Sequence, residues 1–434
     1  MASARAPANR LMRHVYNWAL RLAAPFILLR LVWRGFKNRG YWRRIPERFG
    51  LVPPLRAMRV LWLHAVSVGE VRAAAPLVRA LMGRYPEHRL LVTTTTPTGS
   101  AQVGALFGRE VAHCYVPYDL PGAVVRFFDR VRPDLAVIME TELWPNLYAA
   151  CRARAIPIVV ANMRVSERSV RGYRRVARLA AQTLAQVSVL AAQSAADAER
   201  LRALGAPAAA IHVTGNIKYD VALPASLTEA ADALRREWGG RQRPVWLAAS
   251  THEGEDELVL AARAELAARF PNQLLVLVPR HPERFATVAR LVKKGGLHAL
   301  LRSEHRGVVD AKVDVLIGDT MGELPLFYGA ADVAFVGGSL VPTGGHNLLE
   351  AAAVGTPVVY GPHMFNFAEI ARAARERSAG VQIKNASQLA PALADFLGNA
   401  NRRFEAGEAG KRLIAENRGA VAQTMRLIES LLPK

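Results

Sequence analysis

Apolar positions in this chain form two alternating patterns. Short unbroken runs are separated by longer stretches in which apolar residues recur every three or four positions. From Arg59 the runs Val60–Leu63, Leu90–Thr94, Val111–Val116, Leu135–Met139, Ile156–Val160 and Val187–Ala191 predict strands. Stretches between them, such as Val71–Met82, Ala123–Val131 and Ala195–Leu204, predict helices. Runs without in–out alternation belong to strands buried on both faces, so the pattern predicts parallel sheets covered by helices on each side. After Gly215 the pattern weakens. Polar residues, Pro and Gly through Pro224 to Gly240 predict a linker and a short helix. Alternation then restarts with Val245–Ala249, Leu274–Val278, Val313–Ile317, Val333–Val336 and Pro357–Tyr360. Residues 401–432 carry one long helical pattern rich in Ala, Glu and Arg. No short-period repeat or low-complexity tract interrupts this order.

A length of 434 residues accommodates two such domains. The expected fold class is α/β, with two doubly wound Rossmann-like domains in tandem whose strand ends face one central cleft. Ligands of such sheets bind beyond the carboxyl ends of the strands, so the residues just after each strand are the candidates for chemistry.

Charge changes the picture at the N-terminus. The net charge is +21, and residues 1–60 hold thirteen Arg or Lys against one acid, Glu47. A second basic cluster runs through Arg164, Arg168, Arg171, Arg174, Arg175 and Arg178. Nucleic acid and anionic membrane are both chemically suitable partners. The apolar segment from Tyr16 to Trp33, flanked by Trp18 and Trp33, favours membrane. Arg21 and Arg30 leave eight uncharged residues between them, short of the ~20 that span a bilayer. The segment is expected to lie in the interface, with its arginines reaching anionic head groups. A single span and a buried core helix are the alternatives. No signal-peptide cleavage pattern follows. The two cysteines, Cys114 and Cys151, have neither disulfide-framework nor metal-ligand spacing, which fits a reducing compartment.

The richest loop is Gly337 to Glu350, GGSLVPTGGHNLLE, between the run Ala331–Val336 and a helical stretch Asn347–Val354. A glycine-rich turn before a helix brings backbone N–H groups and a partial positive charge to a phosphate. Asn347 and Glu350, three apart, are expected on one helix face, where a carboxylate can accept from both ribose hydroxyls. The bland alternative is a strand–turn–helix corner packed on glycine. After the first run comes His64-Ala-Val-Ser-Val-Gly-Glu70. Glu70 is expected in the first helical turn, kept ionised there and available as a general base, or else a plain helix cap. His64 is the other possible base, though a strand-end His is commonly structural. After the fourth run, Glu140-Thr-Glu142-Leu-Trp144-Pro offers Glu142 to acceptor hydroxyls and Trp144 to a sugar face, or serves as a cap before Pro145. In the second half, Ala248 to His252, Arg280 to Pro282 and Gly318 to Leu324 each follow a strand. Arg280 suits a phosphate or carboxylate clamp. No spacing suggests a metal site, and a basic cleft can stabilise a leaving phosphate without one. No Walker motif, nucleophile elbow or dinucleotide fingerprint is present.

Taken together, the loops His64–Glu70, Thr93–Thr98, Glu140–Asn146, Gly215–Lys218, Ala248–Glu253, Pro279–Pro282, Gly318–Glu323 and Gly337–Glu350 resemble those of the lipid A Kdo (3-deoxy-D-manno-octulosonic acid) transferases. The likeness runs from about Tyr16 to Phe367, and the sequence follows the family pattern at every position carried over. The resemblance implies a GT-B fold. It assigns 1–45 to a basic amphipathic membrane-associating segment, 46–218 to an acceptor domain, 219–400 to a donor domain and 401–434 to a C-terminal helix. It implies inverting, metal-independent transfer of Kdo from CMP-Kdo to the lipid A precursor, lipid IVA, with no cofactor. The place is the cytoplasmic face of the Gram-negative inner membrane, during lipopolysaccharide inner-core synthesis. By the same resemblance Glu70 matches the catalytic base. Arg280, Met321, Gly322, Glu323, Asn347 and Glu350 match the CMP-binding positions, and Glu142 matches an acceptor-side acid. Three other readings compete: a UDP-sugar 2-epimerase of the same architecture, another membrane-surface transferase using a UDP-sugar, and a non-enzymatic binder of anionic lipid or nucleic acid. The epimerase has no use for the basic N-terminus and the binder leaves the polar strand-end loops unexplained, while the membrane-surface transferase stays open as the alternative.

Overall fold

The computed structural model describes residues 6–55, 58–221 and 223–432. The chain forms two compact units, residues 1–220 together with 418–434, and residues 221–417. Residues 1–5 of the expected membrane-associating segment lie outside the described residues.

The first unit is built on β1 (Arg59–His64), β2 (His88–Thr94), β3 (Ala112–Tyr115), β4 (Leu135–Met139), β5 (Ile158–Met163), β6 (Val189–Ala192) and β7 (Ile211–Val213). They form one sheet in the order β3-β2-β1-β4-β5-β6-β7, all neighbours parallel. Period-2 alternation sends neighbouring side chains to opposite faces. Trp62 enters a cluster with Phe127, Phe128, Ile138 and Tyr148, whereas Leu61 and Leu63 join Val71, Leu77 and Val137 on the other side. Each such fully buried side chain contributes roughly 1.5–3 kcal/mol. The strand order reverses at β1, where Leu61 pairs with both Leu90 and Leu135.

The second unit repeats the plan with β8 (Val245–Thr251), β9 (Leu274–Pro279), β10 (Ala299–Leu301), β11 (Val315–Ile317), β12 (Val333–Val336), β13 (Val358–Tyr360) and β14 (Gly380–Gln382). Their order is β10-β11-β9-β8-β12-β13-β14, again parallel. The reversal falls between β8 and β12.

Two differences from the sequence reading are instructive. β7, β10 and β14 have three residues each, too few for a periodic signal. The tail is two helices, Ala400–Asn417 in the second unit and Ala420–Glu429 in the first. The break is Gly419, at φ 106. The Gly419 and Val421 N–H groups donate to Asp220 at 2.6 Å each, so a carboxylate closes the start of the last helix. Ala420, Met425 and Ile428 then enter the first unit's core.

The N-terminal helix, Ala6–Lys37, docks on the first unit by one face. Leu31 is buried, the Tyr16 hydroxyl donates to Asp119 at 2.9 Å, and the Asn146 amide donates to Asn17 at 2.6 Å. The opposite face is an exposed stripe of Val15, Trp18, Leu22, Phe26, Leu29, Trp33 and Phe36, spaced three or four residues apart. Within this helix Met12–Phe36 is long and apolar enough, by length and composition, to cross a membrane.

Candidate active site

Both strand-order reversals gather polar loops at the carboxyl ends of their strands, the position at which such sheets bind ligands.

In the first unit β1 ends at His64 and the helix Val68–Arg84 begins after Ser67. Ser67 and Glu70 have capping-box spacing. The Ser67 hydroxyl accepts from the Glu70 N–H at 3.5 Å, and the Glu70 carboxylate accepts from the Val66 N–H at 2.8 Å and the Ser67 hydroxyl at 3.2 Å. Those bonds and the helix terminus favour the ionised form. Burial outweighs them, and with the charges of Glu140 and Glu142 it pushes the Glu70 carboxyl up to about 7. Glu70 is therefore a cap and also a carboxylate near neutrality, not the fully ionised group expected from its helix position. Glu140, at the end of β4, adopts φ 56, a left-handed conformation uncommon outside glycine. Its carboxylate lies 3.6 Å from the Lys218 ammonium. Glu142 accepts the Trp144 indole N–H at 2.9 Å, and burial raises its carboxyl as well. Three carboxylates and a lysine thus converge beside the β1–β4 reversal. Lys218 comes from beyond β7, so no local motif paired it with Glu140.

His64 is fully buried, with Nδ1 2.9 Å from the Thr93 hydroxyl. Burial holds its imidazole near 4, so it is neutral and structural. Trp144 is half-buried, with its indole N–H on Glu142 and its ring edge-on to His64 at 6.2 Å.

In the second unit the neighbouring strands β11, β9, β8 and β12 bring four loops side by side. Arg280 follows β9, and its N–H donates to Thr251 at the end of β8. Met321 and Gly322 follow β11; Met321 is 72% exposed and Gly322 has φ 86. Glu323 faces Arg302 through both carboxylate oxygens, at 3.1 and 3.3 Å, and takes the Thr320 hydroxyl. Arg302 and Thr320 draw its carboxyl below the usual range against the opposing effect of burial. Its side chain therefore braces the loop. After β12, the helix is shorter than expected, Leu349–Val354. Asn347 stands ahead of it, not on its face, because its side chain accepts the Leu349 N–H at 3.1 Å in a local turn. Glu350 is in the first helical turn.

One residue outside the expected set organises this loop. Glu255 is fully buried and accepts four backbone N–H groups, from His252, Gly338, Ser339 and Leu340, at 2.6–3.0 Å. The approach is close enough that a Cβ on Gly337 would meet the Ser250 carbonyl oxygen at 2.6 Å. An acid in a helical stretch after β8 gives no sequence sign of a partner eighty residues on.

Comparison with known proteins follows the same division. The family model described as 3-deoxy-D-manno-octulosonic-acid transferase (kdotransferase) matches residues 43–221, and that of glycosyl transferases group 1 matches 257–413. A 3-deoxy-D-manno-octulosonic acid transferase of Haemophilus influenzae is 42% identical, over 97% of this chain and 99% of that one. One from Bordetella pertussis is 40% identical, also over 97% and 99%. A UDP-GlcNAc 2-epimerase from Neisseria meningitidis has the same fold at a TM-score of 0.56, covering 86% of this chain and 100% of its own, at 14% identity. The two doubly wound units are those of a GT-B glycosyltransferase, and the sequence relationship separates this chain from the epimerases that share its fold. The chain belongs to the 3-deoxy-D-manno-octulosonic acid (Kdo) transferases, the glycosyltransferases that add Kdo in lipopolysaccharide synthesis.

Proposed function

We propose that the chain transfers Kdo from CMP-Kdo to the lipid A precursor, lipid IVA, with inversion at the anomeric carbon and with Glu70 as general base. The observation that carries this reading is the Glu70 carboxyl near 7, buried beside Glu140 and Glu142. A base of that strength is matched to neutral pH. The acceptor hydroxyl oxygen bonds to the anomeric carbon of Kdo while Glu70 takes its proton. The bond from that carbon to the phosphate oxygen breaks, and its electron pair leaves with CMP. Lys218, on Glu140, offsets negative charge beside the base, and Glu142 orients acceptor hydroxyls.

On the second unit, the reading gives the donor to Arg280, the backbone of Met321 and Gly322, Asn347 and Glu350. Arg280 suits the phosphate or the Kdo carboxylate, and Glu350 suits the ribose. Glu323 serves by bracing its loop through Arg302. No metal or cofactor enters this scheme.

The acceptor carries phosphates and acyl chains, so the reading includes an anionic membrane surface at the cytoplasmic face of the inner membrane, with no nucleic acid partner. The N-terminal helix supports an interfacial arrangement over a span. A spanning helix turns every face to lipid, whereas this one is docked through Tyr16, Asn17 and Leu31 and leaves an apolar stripe outward. The exposed Arg168, Arg171, Arg174, Arg175 and Arg178 suit acceptor or lipid phosphates. The division into membrane-associating segment, acceptor unit and donor unit belongs to the same reading. Incubating the protein with CMP-Kdo and lipid IVA in anionic vesicles, with product masses by spectrometry, tests it. A mass increase of one or more Kdo units is expected; transfer from UDP-sugars alone would overturn it.

A further inference from the structure

His252 and His346 lie on the two loops flanking the β8–β12 reversal, and the reading above uses neither. Their Nε2 atoms are 2.8 Å apart, their ring centroids 5.1 Å apart and their planes 9° from parallel. The nitrogens are so much closer than the centroids that the rings must meet end to end, not face to face. The contact is therefore an N–H···N hydrogen bond, which holds one proton between the two nitrogens. A neutral pair keeps the bond with one ring as donor. A singly charged pair keeps it too and carries an N–H at both Nδ1 atoms. A doubly charged pair sets two N–H groups head to head and breaks it. The pair thus stores at most one positive charge.

The charged and titratable groups around His252 mostly oppose that charge. Burial lowers the His252 imidazole first, and His281, Arg280 and Arg284 add to it; only Glu255 works the other way. The Glu255 carboxylate is already held by four backbone N–H groups. His281 meets His252 edge-on at 5.5 Å. An anion arriving among these groups reverses the balance. Both rings are partly exposed, and His346 directly precedes Asn347 in the loop assigned to the donor.

We propose that His252 and His346 form a one-proton anion-binding pair that becomes charged when the phosphate of the nucleotide donor enters the second unit. The inference rests on the donor-site assignment made above. The charge counters the phosphate, and it counters the nucleotide more strongly once the sugar has left and a second phosphate charge develops.

Calorimetry of the full chain with CMP at pH 7.5, in two buffers of different ionisation enthalpy, reads the protons taken up. The wild type is expected to take up more than His346→Gln and His252→Gln, with a difference approaching one proton. Its affinity is expected to fall with rising pH, by at most about tenfold per pH unit, while the variants respond less. The titration of CMP's own phosphate, near pH 6, is common to all three proteins and cancels in the comparison. Equal uptake in all three overturns the pair and leaves the donor site standing. Weaker binding at equal uptake makes the histidines structural and overturns it too. Absence of CMP binding by the wild type instead overturns the donor-site assignment. Should a variant fail to fold, nitrogen spectra of the wild-type imidazoles with and without CMP decide. Two rings moving together to the protonated form support the pair, and unchanged rings refute it.

Discussion

Glu70→Gln is the sharpest test of the first site, because function and stability should move in opposite directions. Gln keeps the shape and can still accept from the Val66 N–H, so the capping geometry survives. It cannot take a proton. Loss of a general base costs about 10²–10⁴-fold in rate, and the loss should fall on kcat with CMP affinity retained. Wild-type kcat/KM should rise with pH and level off above about 7, where Glu70 is ionised.

The stability effect has a defined pH window. The Glu70 carboxyl titrates at about 7 in the folded chain against an ordinary value of 4.5. A raised pKa means that its contribution to folding is fullest below 4.5 and is lost as pH rises to about 7. Above that, the buried charge is a constant penalty on the order of 3 kcal/mol, taking 1.36 kcal/mol per unit. Gln carries no such penalty. Denaturant unfolding should therefore find Glu70→Gln more stable than wild type at pH 8, and much closer to it at pH 5. A gap that does not change with pH would refute the account of the carboxyl. Near-normal turnover of the folded variant would remove the base role from Glu70 altogether.

The other expectations concern the loops proposed to bind the donor and the helix face proposed to meet the membrane. Glu350→Ala and Arg280→Ala should each weaken CMP or CMP-Kdo binding about tenfold or more by calorimetry, since a charge-assisted hydrogen bond contributes roughly 1.5–3 kcal/mol. Gly337→Ala should destabilise the fold by about 1–3 kcal/mol in denaturant titration, because its Cβ would meet the backbone of Ser250 and Thr251 at 2.6 and 2.8 Å. Phe26→Asp with Leu29→Asp, at positions 74% and 67% exposed, should abolish flotation with anionic vesicles while leaving the thermal midpoint within a few degrees of wild type. Retained flotation would mean that another surface holds the membrane.

The fold was largely legible because its central strands are buried on both faces and read as unbroken apolar runs. Leu135–Met139 and Val333–Val336 were predicted residue for residue. What escaped were short edge strands and the split tail, where helical periodicity runs through Gly419 although the two halves serve different units. For the candidate site, strand-end position pointed to Glu70, Arg280 and the glycine-rich loop. It did not reveal that the Glu323 side chain is occupied by Arg302, that Asn347 stands outside the helix, or that Lys218 reaches Glu140. Each of these depends on a partner distant in sequence or on a local turn, and neither leaves a periodic trace.

The two units also show why position alone does not assign chemistry. Glu70 and Glu255 occupy comparable places, each at the start of the helix that follows the strand at its sheet's reversal. An ionised carboxylate offers about four lone-pair sites. Glu255 fills them with four backbone N–H groups in full burial. Glu70 accepts one backbone N–H and one hydroxyl, and its neighbours are carboxylates that make proton uptake easier. The same residue type on the same local scaffold thus pins a backbone loop in one unit and stands as a raised carboxyl among other carboxylates in the other. At Glu70 burial and the charges of Glu140 and Glu142 outweigh the two donors that its loop supplies. Supplying Glu70 with further N–H donors should accordingly lower its pKa and weaken it as a base, even with the carboxylate left in place.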